Sequence, residues 1–295
     1  MSVVQAVQSE YRAALEGCAV FDAGDRQLLR VTGSEAGSFL QGMVTNDVEG
    51  LAVGASCYAA VLTVKGGMVA DVRVLKRASD FLVETSSARL VAVKDYLNKY
   101  LISEDAEIHD APELSVLSFV GPKFADARAL ISSVEGELIS FVGGLDVVVL
   151  REKLDETWNV LASVPRLSKE TLEVLRVEKA VPLFGVDMTE VTIPLEANLE
   201  HAIHYKKGCY IGQEVIARAT YRGQMNKKLV QLLVGDAEPA WKAELKLGER
   251  KVGFITSVVK SEKHGGQHLA LGYVHRDFLT SGTKFELGAG SATIA

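Results

Sequence analysis

Two hydrophobic rhythms alternate along the chain. Val3, Val7, Tyr11 and Leu15 recur at helical spacing through residues 1–16 and predict an amphipathic helix, interrupted by Glu10. Gln27–Thr32 alternates polar and apolar residues and predicts a strand. Gly33-Ser34 ends it, and Ser34 is placed to cap a helix over Glu35–Val44 with Phe39, Leu40 and Met43 inward. Strand patterns follow at Cys57–Val64, Met68–Lys76 and Phe81–Thr85, the first two joined by a Lys65-Gly66-Gly67 turn. Ala88–Leu101 returns to helical spacing, with Leu90, Val93, Leu97 and Leu101 on one face. Leu114–Val120 reads as a strand and Phe124–Ile131 as a helix. Phe141–Leu145 reads as a hairpin turn into Asp146–Leu150, and Ser168 as the cap of a helix running to Glu178.

From about Lys228 helical periodicity disappears. Leu229–Val234, Gly253–Val259, Leu269–Val274 and Thr283–Leu287 alternate with Gly, Asp and Lys turns and predict a small β-barrel or sandwich. Upstream, strands and helices come in mixed order with frequent hairpins. That order favours an α+β body with antiparallel sheets over a doubly wound parallel sheet. The expected division is a body over 1–227 and a β-domain over 228–295.

Length agrees with this division, since 295 residues suggest about two domains. Hydrophobic residues at 48% and charged residues at 24% exclude disorder as the main character. A formal net charge of −6 excludes a generally basic coat for nucleic acid. Cys18, Cys57 and Cys209 are odd in number, form no CxxC and predict reducing cytoplasm. No secretory signal is read in the first helix. No apolar run approaches the roughly 20 residues that cross a bilayer, so no membrane anchor is expected. The phosphate-cradling GxxxxGK[ST] and GxGxxG patterns are absent, as are HExxH and GxSxG. His201 and His204 could chelate a metal from one helix, but a solvated helix face is the better expectation, and no metal is expected.

Residues 206–223 read KKGCYIGQEVIARATYRG. From Lys206 to Lys228 there are six basic residues (Lys206, Lys207, Arg218, Arg222, Lys227, Lys228) and one acid, Glu214, a local charge of +5. A helix start adds a positive dipole end. A thiol at Cys209 is expected to carry more thiolate character there. The alternative is a buried small hydrophobe at Cys209 beside a solvated charged face.

The string K-G-C-Y-I-G-Q-E, with A-R and Y-R-G after it, resembles the signature of YgfZ-type folate-binding proteins. These are tied to iron–sulfur cluster maintenance and tRNA modification, and are relatives of the glycine cleavage T-protein, an aminomethyltransferase. Phe39-Leu40-Gln41-Gly42 with Thr45-Asn46-Asp47 resembles the family's FLQG…TND stretch. Tyr58, Gly66-Gly67 and Asp71 resemble its Tyr…GG…Asp stretch. Leu117–Pro122, Leu175-Arg176-Val177-Glu178 and Pro194-Leu195-Glu196-Ala197 continue the match in order.

The resemblance implies a folate-binding body of two interleaved sheet-and-helix lobes and a C-terminal β-barrel, in a three-lobed ring. It implies tetrahydrofolate or a one-carbon derivative in a central pocket. Asp71 would handle charge or protons near the reactive nitrogens. Glu178 would accept pterin N–H groups, Tyr58 would line the pocket, and Arg222 would meet the glutamate tail. Cys209 would act at the rim as a thiolate or transient ligand. Read without the family, Asp71 is a solvent-facing strand residue, Glu178 a helix-terminal surface acid and Tyr58 a sheet-core aromatic.

The sequence also departs from the T-protein. Ala70-Asp71 stands where that family has two acids. Gly24-Asp25-Arg26 follows Phe21-Asp22 where it has Ser-His-Met, so Arg26 replaces a folate-pocket Met. T-proteins also lack the Cys of the KGC string. The expected function is therefore a folate-binding accessory protein acting on iron–sulfur client proteins or assembly factors. The alternatives are a folate-dependent aminomethyltransferase and a non-catalytic tRNA- or protein-binding module.

Overall fold

The two rhythms become α1 (Val3–Glu16), β1 (Ala19–Asp22), β2 (Arg26–Thr32), α2 (Ala36–Met43), β3 (Ser56–Leu62), β4 (Met68–Lys76) and β5 (Phe81–Ser86). Next come α3 (Leu90–Tyr100), β6 (Glu107–Asp110), β7 (Leu114–Val120), β8 (Gly136–Phe141), β9 (Gly144–Leu150), α4 (Leu154–Val160), α5 (Lys169–Glu178) and α6 (Gln213–Arg222). The remaining strands are β10 (Lys227–Val234), β11 (Glu244–Leu247), β12 (Arg250–Lys260), β13 (His268–His275), β14 (Lys284–Leu287) and β15 (Gly290–Ile294). This computed structural model describes residues 3–124, 132, 136–141, 144–223, 225–235 and 239–295. The helix expected over Phe124–Ile131 lies outside them beyond its first residue. No helix among the described residues is long and apolar enough to cross a membrane.

The chain forms two compact units. Unit 1 comprises 1–65, 69–168 and 201–213; unit 2 comprises 66–68, 169–200 and 214–295.

Unit 1 holds a five-stranded sheet, β3-β4-β5-β2-β6, and a four-stranded sheet, β1-β7-β9-β8. Strand β2 shows why the first sheet is buried on both faces. Leu29 and Val31 join Phe39, Leu40, Val93 and Leu97 in a core under α2 and α3. Leu28 points the other way and packs with Leu75, Leu82, Val116 and Val148 against the second sheet. A sheet covered on both faces reads as near-continuous apolar sequence, so a polar residue within it is forced inside.

Three local expectations change. Leu15 is 45% exposed, and the inward face of α1 runs through Tyr11 and Ala14 instead. Ser34 does not cap α2. The cap position is Glu35, without a side-chain cap bond, and the Ser34 hydroxyl donates to Asp105 Oδ2 at 2.6 Å. Strands β1, β6, β11 and β15 lie where no strand was expected. In β6 only Ile108 is buried, so there was no alternation to read.

Unit 2 contains a closed barrel, β10-β13-β12-β11-β14-β15, around Leu232, Leu245, Ile255, Val274 and Phe285. Closure leaves no open sheet edge. Strands β12 and β13 approach tightly, and a Cβ at Gly253 would stand 2.2 Å from the Tyr273 carbonyl oxygen. The register shift between Ile255 and Ser257 bends β12 around the barrel. Gln231 in β10 donates to the carbonyls of Val177 and Glu178 at 2.8 and 3.0 Å, tying the end of α5 to the barrel.

Candidate functional site

Strand pairing places a set of charges on one face of the five-stranded sheet. Arg73 of β4 lies opposite Glu84 of β5, and β2 pairs Leu28 with Glu84. Period-two geometry then puts Asp71 and Arg26 on the same face as Arg73 and Glu84. That face looks toward the second sheet, which contributes Asp146 of β9.

The contacts form a chain. Tyr58 donates its hydroxyl to Asp71 Oδ2 at 3.2 Å, and Arg26 Nη1 lies 3.6 Å from the same oxygen. Arg26 Nε donates to Glu84 Oε1 at 2.5 Å, and Arg73 Nη2 reaches that oxygen at 2.5 Å. Arg73 Nη1 pairs with Asp146. Thr85 Oγ1 donates to the Asp71 carbonyl at 2.9 Å, fixing the strand beneath. Asp71 is buried, so it is not a solvent-facing strand residue; Glu84 and Asp146 are 1% and 0% exposed.

Three carboxylates (Asp71, Glu84, Asp146) face two guanidiniums (Arg26, Arg73). The titrations follow from that imbalance. Burial opposes the charge on Arg26, but Glu84 and Asp71 hold its pKa above the ordinary value. Burial also opposes ionisation of Glu84, yet Arg26 and Arg73 keep it below the usual carboxylate range. Asp146 is pushed up to about 6 by burial, which outweighs the pull of Arg73. Burial, then the Asp71 charge, raises the Tyr58 hydroxyl well above its ordinary value. Arg26 Nη2 and Glu84 Oε2 are buried without a hydrogen-bond partner among the described residues.

The FLQG…TND and KGC stretches meet within unit 1, and they meet as scaffold. Gln41 donates from Nε2 to Asp47 Oδ1 and to the Lys207 carbonyl, both at 2.9 Å. Lys207 Nζ returns to the carbonyls of Gln41 and, at 2.7 Å, Val44. Ile211 N donates to the Gly42 carbonyl at 3.1 Å, and His204 N to the Thr45 carbonyl at 3.0 Å. Thr45 donates to the Ala202 carbonyl at 2.6 Å. Gly212 has φ +84, and a Cβ there would stand 2.6 Å from the Thr63 carbonyl oxygen, so the segment packs tightly on the end of β3.

Cys209 rides on this cradle, exposed to solvent, so its reading as a buried hydrophobe does not hold. Cys57 packs beside the core under α2 and α3, and burial pushes its thiol up to about 11. Burial lowers Lys207 to about 8, with Asp47 and Cys57 acting against it. The basic stretch is engaged in part, with Lys206 and Arg218 exposed. Lys207 is turned inward, Arg218 pairs with Glu214, and Lys227 and Lys228 lie 3.9 and 3.2 Å from Glu196 and Glu200.

His201 and His204 do not share a helix. His201 sits in the 3-10 turn Glu200–Ala202, and His204 lies beyond it. The His201 ring stacks on Tyr58, with centroids 5.5 Å apart and planes 13° apart. Asn46 Nδ2 pins both residues, donating to the Tyr58 carbonyl at 2.9 Å and the His201 carbonyl at 3.3 Å. Among the described residues no group of three or more His, Cys, Asp or Glu side chains could hold a metal ion.

Glu178 and Arg222 belong to unit 2. Glu178 closes α5 and is buried rather than a surface acid. Its Oε1 accepts from the Ser261 hydroxyl at 2.6 Å and from Lys263 N at 3.1 Å, pinning the β12–β13 turn. Arg222 is the last residue of α6, and its side chain lies outside the described part of the chain. Glu196 caps its own 3-10 turn through Ile193 N at 3.4 Å, and burial raises its pKa.

The structure thus joins Tyr58 and Asp71, adds Arg26, and keeps Cys209 in the same unit. Glu84, Arg73, Asp146 and His201 were not read as site residues. Their signal was available for the strands: polar residues inside runs buried on both faces must be paired.

The model of the GCVT N-terminal domain matches residues 1–144. An uncharacterised protein of Haemophilus influenzae is 32% identical over 250 residues, spanning 79% of this chain and 81% of its own length. An aminomethyltransferase of Rubrobacter xylanophilus is 28% identical over 297 residues, spanning 91% of this chain and 79% of its own. The crystal structure of the glycine cleavage system aminomethyltransferase T from Bartonella henselae matches with a TM-score of 0.84 at 20% identity. That match covers 98% of this chain and 88% of the other, and it shows the same α+β fold with its closed C-terminal barrel. Domain, relatives and fold agree: the chain carries the GCVT N-terminal domain over residues 1–144 and is similar to aminomethyltransferases along most of its length.

Proposed function

We propose that the protein binds tetrahydrofolate, or a one-carbon derivative, against Asp71 and Tyr58. It then serves as an accessory protein in iron–sulfur cluster assembly or repair, with Cys209 as the exposed reactive group. The observation that carries the folate reading is a buried carboxylate held between the Tyr58 hydroxyl and Arg26. A pterin ring offers N–H donors that a carboxylate accepts, and a ring carbonyl that the orphaned Arg26 Nη2 lacks. The residues therefore fit the group. Glu178 and Arg222 are proposed as further folate contacts on the strength of the family resemblance. Support for the iron–sulfur role is the K-G-C-Y-I-G-Q-E string and the exposure of Cys209 on a rigid cradle. Client proteins or assembly factors would be its partners, and the cytoplasm its compartment. A tRNA partner has less support, because Lys207 is turned inward and Lys227 and Lys228 lie beside Glu196 and Glu200.

A second reading is a tetrahydrofolate-dependent aminomethyltransferase. It is favoured by the names of the relatives and by the retained Asp71. Ammonia release from an aminomethylated dihydrolipoyl carrier separates it from the first.

The deciding experiment is anaerobic calorimetric titration with tetrahydrofolate, run beside Asp71→Asn and Glu178→Ala. Binding that weakens at least about tenfold in Asp71→Asn supports the site. No binding by the unaltered protein at millimolar ligand removes the folate reading.

A further inference from the structure

Arg26 stands beside Asp71 and cannot readily leave. Its Nε donates to Glu84 Oε1 at 2.5 Å, while Nη1 lies 3.6 Å from Asp71 Oδ2. Glu84 is almost fully buried and is itself held by Arg73, which pairs with Asp146 on the second sheet. Swinging Arg26 away would strip a buried carboxylate of one of its two cations, a costly step in a low-dielectric setting. Arg26 also stays charged, because Glu84 and Asp71 outweigh the effect of its burial. Any group that contacts Asp71 therefore meets a carboxylate with a fixed positive charge 3.6 Å from one of its oxygens.

The consequences differ for two kinds of ligand. A cationic group gains attraction from the carboxylate but loses part of it to the neighbouring guanidinium. A neutral N–H donor needs only a lone pair. A carboxylate has about four lone-pair directions, and the Tyr58 hydroxyl takes one of them.

We propose that Arg26 is a specificity-determining residue: it makes the Asp71 site accept neutral N–H-bearing rings and reject cationic one-carbon groups. This rests on the reading of Asp71 as the ligand-facing carboxylate. It sets the protein apart from a catalyst that must hold a protonated aminomethyl group at that position.

The test compares tetrahydrofolate with 5,10-methenyltetrahydrofolate, a folate carrying a delocalised positive charge, by anaerobic calorimetry of the full chain at mildly acid pH. Four proteins are titrated: unaltered, Arg26→Lys, Arg26→Gln combined with Glu84→Gln, and Asp71→Asn. The double variant keeps the net charge of the buried cluster, so folding is less at risk than with Arg26→Gln alone; circular dichroism checks it. The unaltered protein should prefer tetrahydrofolate by about tenfold or more, Arg26→Lys should keep that preference, and the double variant should lose it. Equal affinity for both ligands in the unaltered protein, or a preference unchanged in the double variant, overturns the role of Arg26. Tetrahydrofolate affinity unchanged in Asp71→Asn overturns it too, while leaving folate binding intact elsewhere. Binding of neither folate removes the folate reading and this inference together.

Discussion

Each unit buries a charged cluster, and the two are built differently. In unit 2, Asp187 accepts from Arg176 Nη1 at 2.6 Å, Thr256 Oγ1 at 2.5 Å, Ser257 Oγ at 2.8 Å and Leu183 N at 2.9 Å. Hydroxyls and an amide share the work with one guanidinium, so the Asp187 carboxylate is satisfied from every side. In unit 1 three carboxylates compete for two guanidiniums, Arg26 Nη2 and Glu84 Oε2 are among the buried atoms that lack a hydrogen-bond partner, and the chain of contacts ends at Asp71 under Tyr58. Burying charge is costly in both places. A fully satisfied cluster returns that cost as structure. One left unbalanced at its end has capacity for a ligand or a proton.

The largest expected effect tests the closed cluster. Asp187→Ala removes the common acceptor of Arg176, Thr256, Ser257 and the Leu183 amide, although Arg176 keeps Glu173 and Thr256 keeps the Leu271 carbonyl, and should cost about 3–5 kcal/mol in urea unfolding. It should leave tetrahydrofolate affinity unchanged. A loss of affinity matching that of Asp71→Asn would erase the distinction between the clusters.

The next effect probes the imbalance in unit 1. Asp146 titrates near 6 in the folded protein, against about 3.9 in the unfolded chain. Between those values the folded state retains a proton that the unfolded chain has released. Stability should therefore fall as pH rises from about 4 to about 6, by up to about 3 kcal/mol, and change little from this cause above. Glu84 runs the other way: its depressed folded pKa gives stability that is lost as pH falls below its ordinary range. Asp146→Asn should remove the slope between about 4 and 6 and leave the acid limb from Glu84. An identical slope in the variant would assign the proton elsewhere.

Smaller effects sharpen the local picture. Gly208 and Gly212 both have positive φ, but only Gly212 faces a backbone oxygen at clashing distance. Gly212→Ala should cost about 1–3 kcal/mol in thermal unfolding and Gly208→Ala less, since open space surrounds it. Equal costs would mean the cradle yields to a methyl group. Tyr58→Phe removes one hydrogen bond to Asp71 and should cost about 0.5–1.5 kcal/mol. It should weaken tetrahydrofolate binding less than Asp71→Asn does, by the same calorimetry.

Legibility followed burial. Met68–Lys76 and Leu114–Val120 were found end to end because apolar residues outnumber the polar ones in both. Strands β6, β11 and β15 carry few buried side chains, so hydrogen bonding to neighbours, not pattern, makes them strands. Ser34 looked like a cap because its type and place suit one, but Asp105, 71 residues away, claims its hydroxyl. For the site, the residues Tyr58, Asp71 and Cys209 came from motif resemblance. The cradle that joins Gln41 to Lys207 spans 166 residues, and no local pattern announces a bond of that range.

The sequence by itself determined the α+β body, the β-rich tail and the motifs of the GCVT-domain family, because local periodicity and short strings carry that information. Only the tertiary structure decided that Asp71 is buried and shared by Tyr58 and Arg26. It also decided that Glu178 pins a barrel turn, and that Lys207 of the basic stretch is turned inward. The reason is physical. Charge pairing depends on which strands are neighbours and which face each residue takes, and those are set by long-range packing rather than by position in the chain.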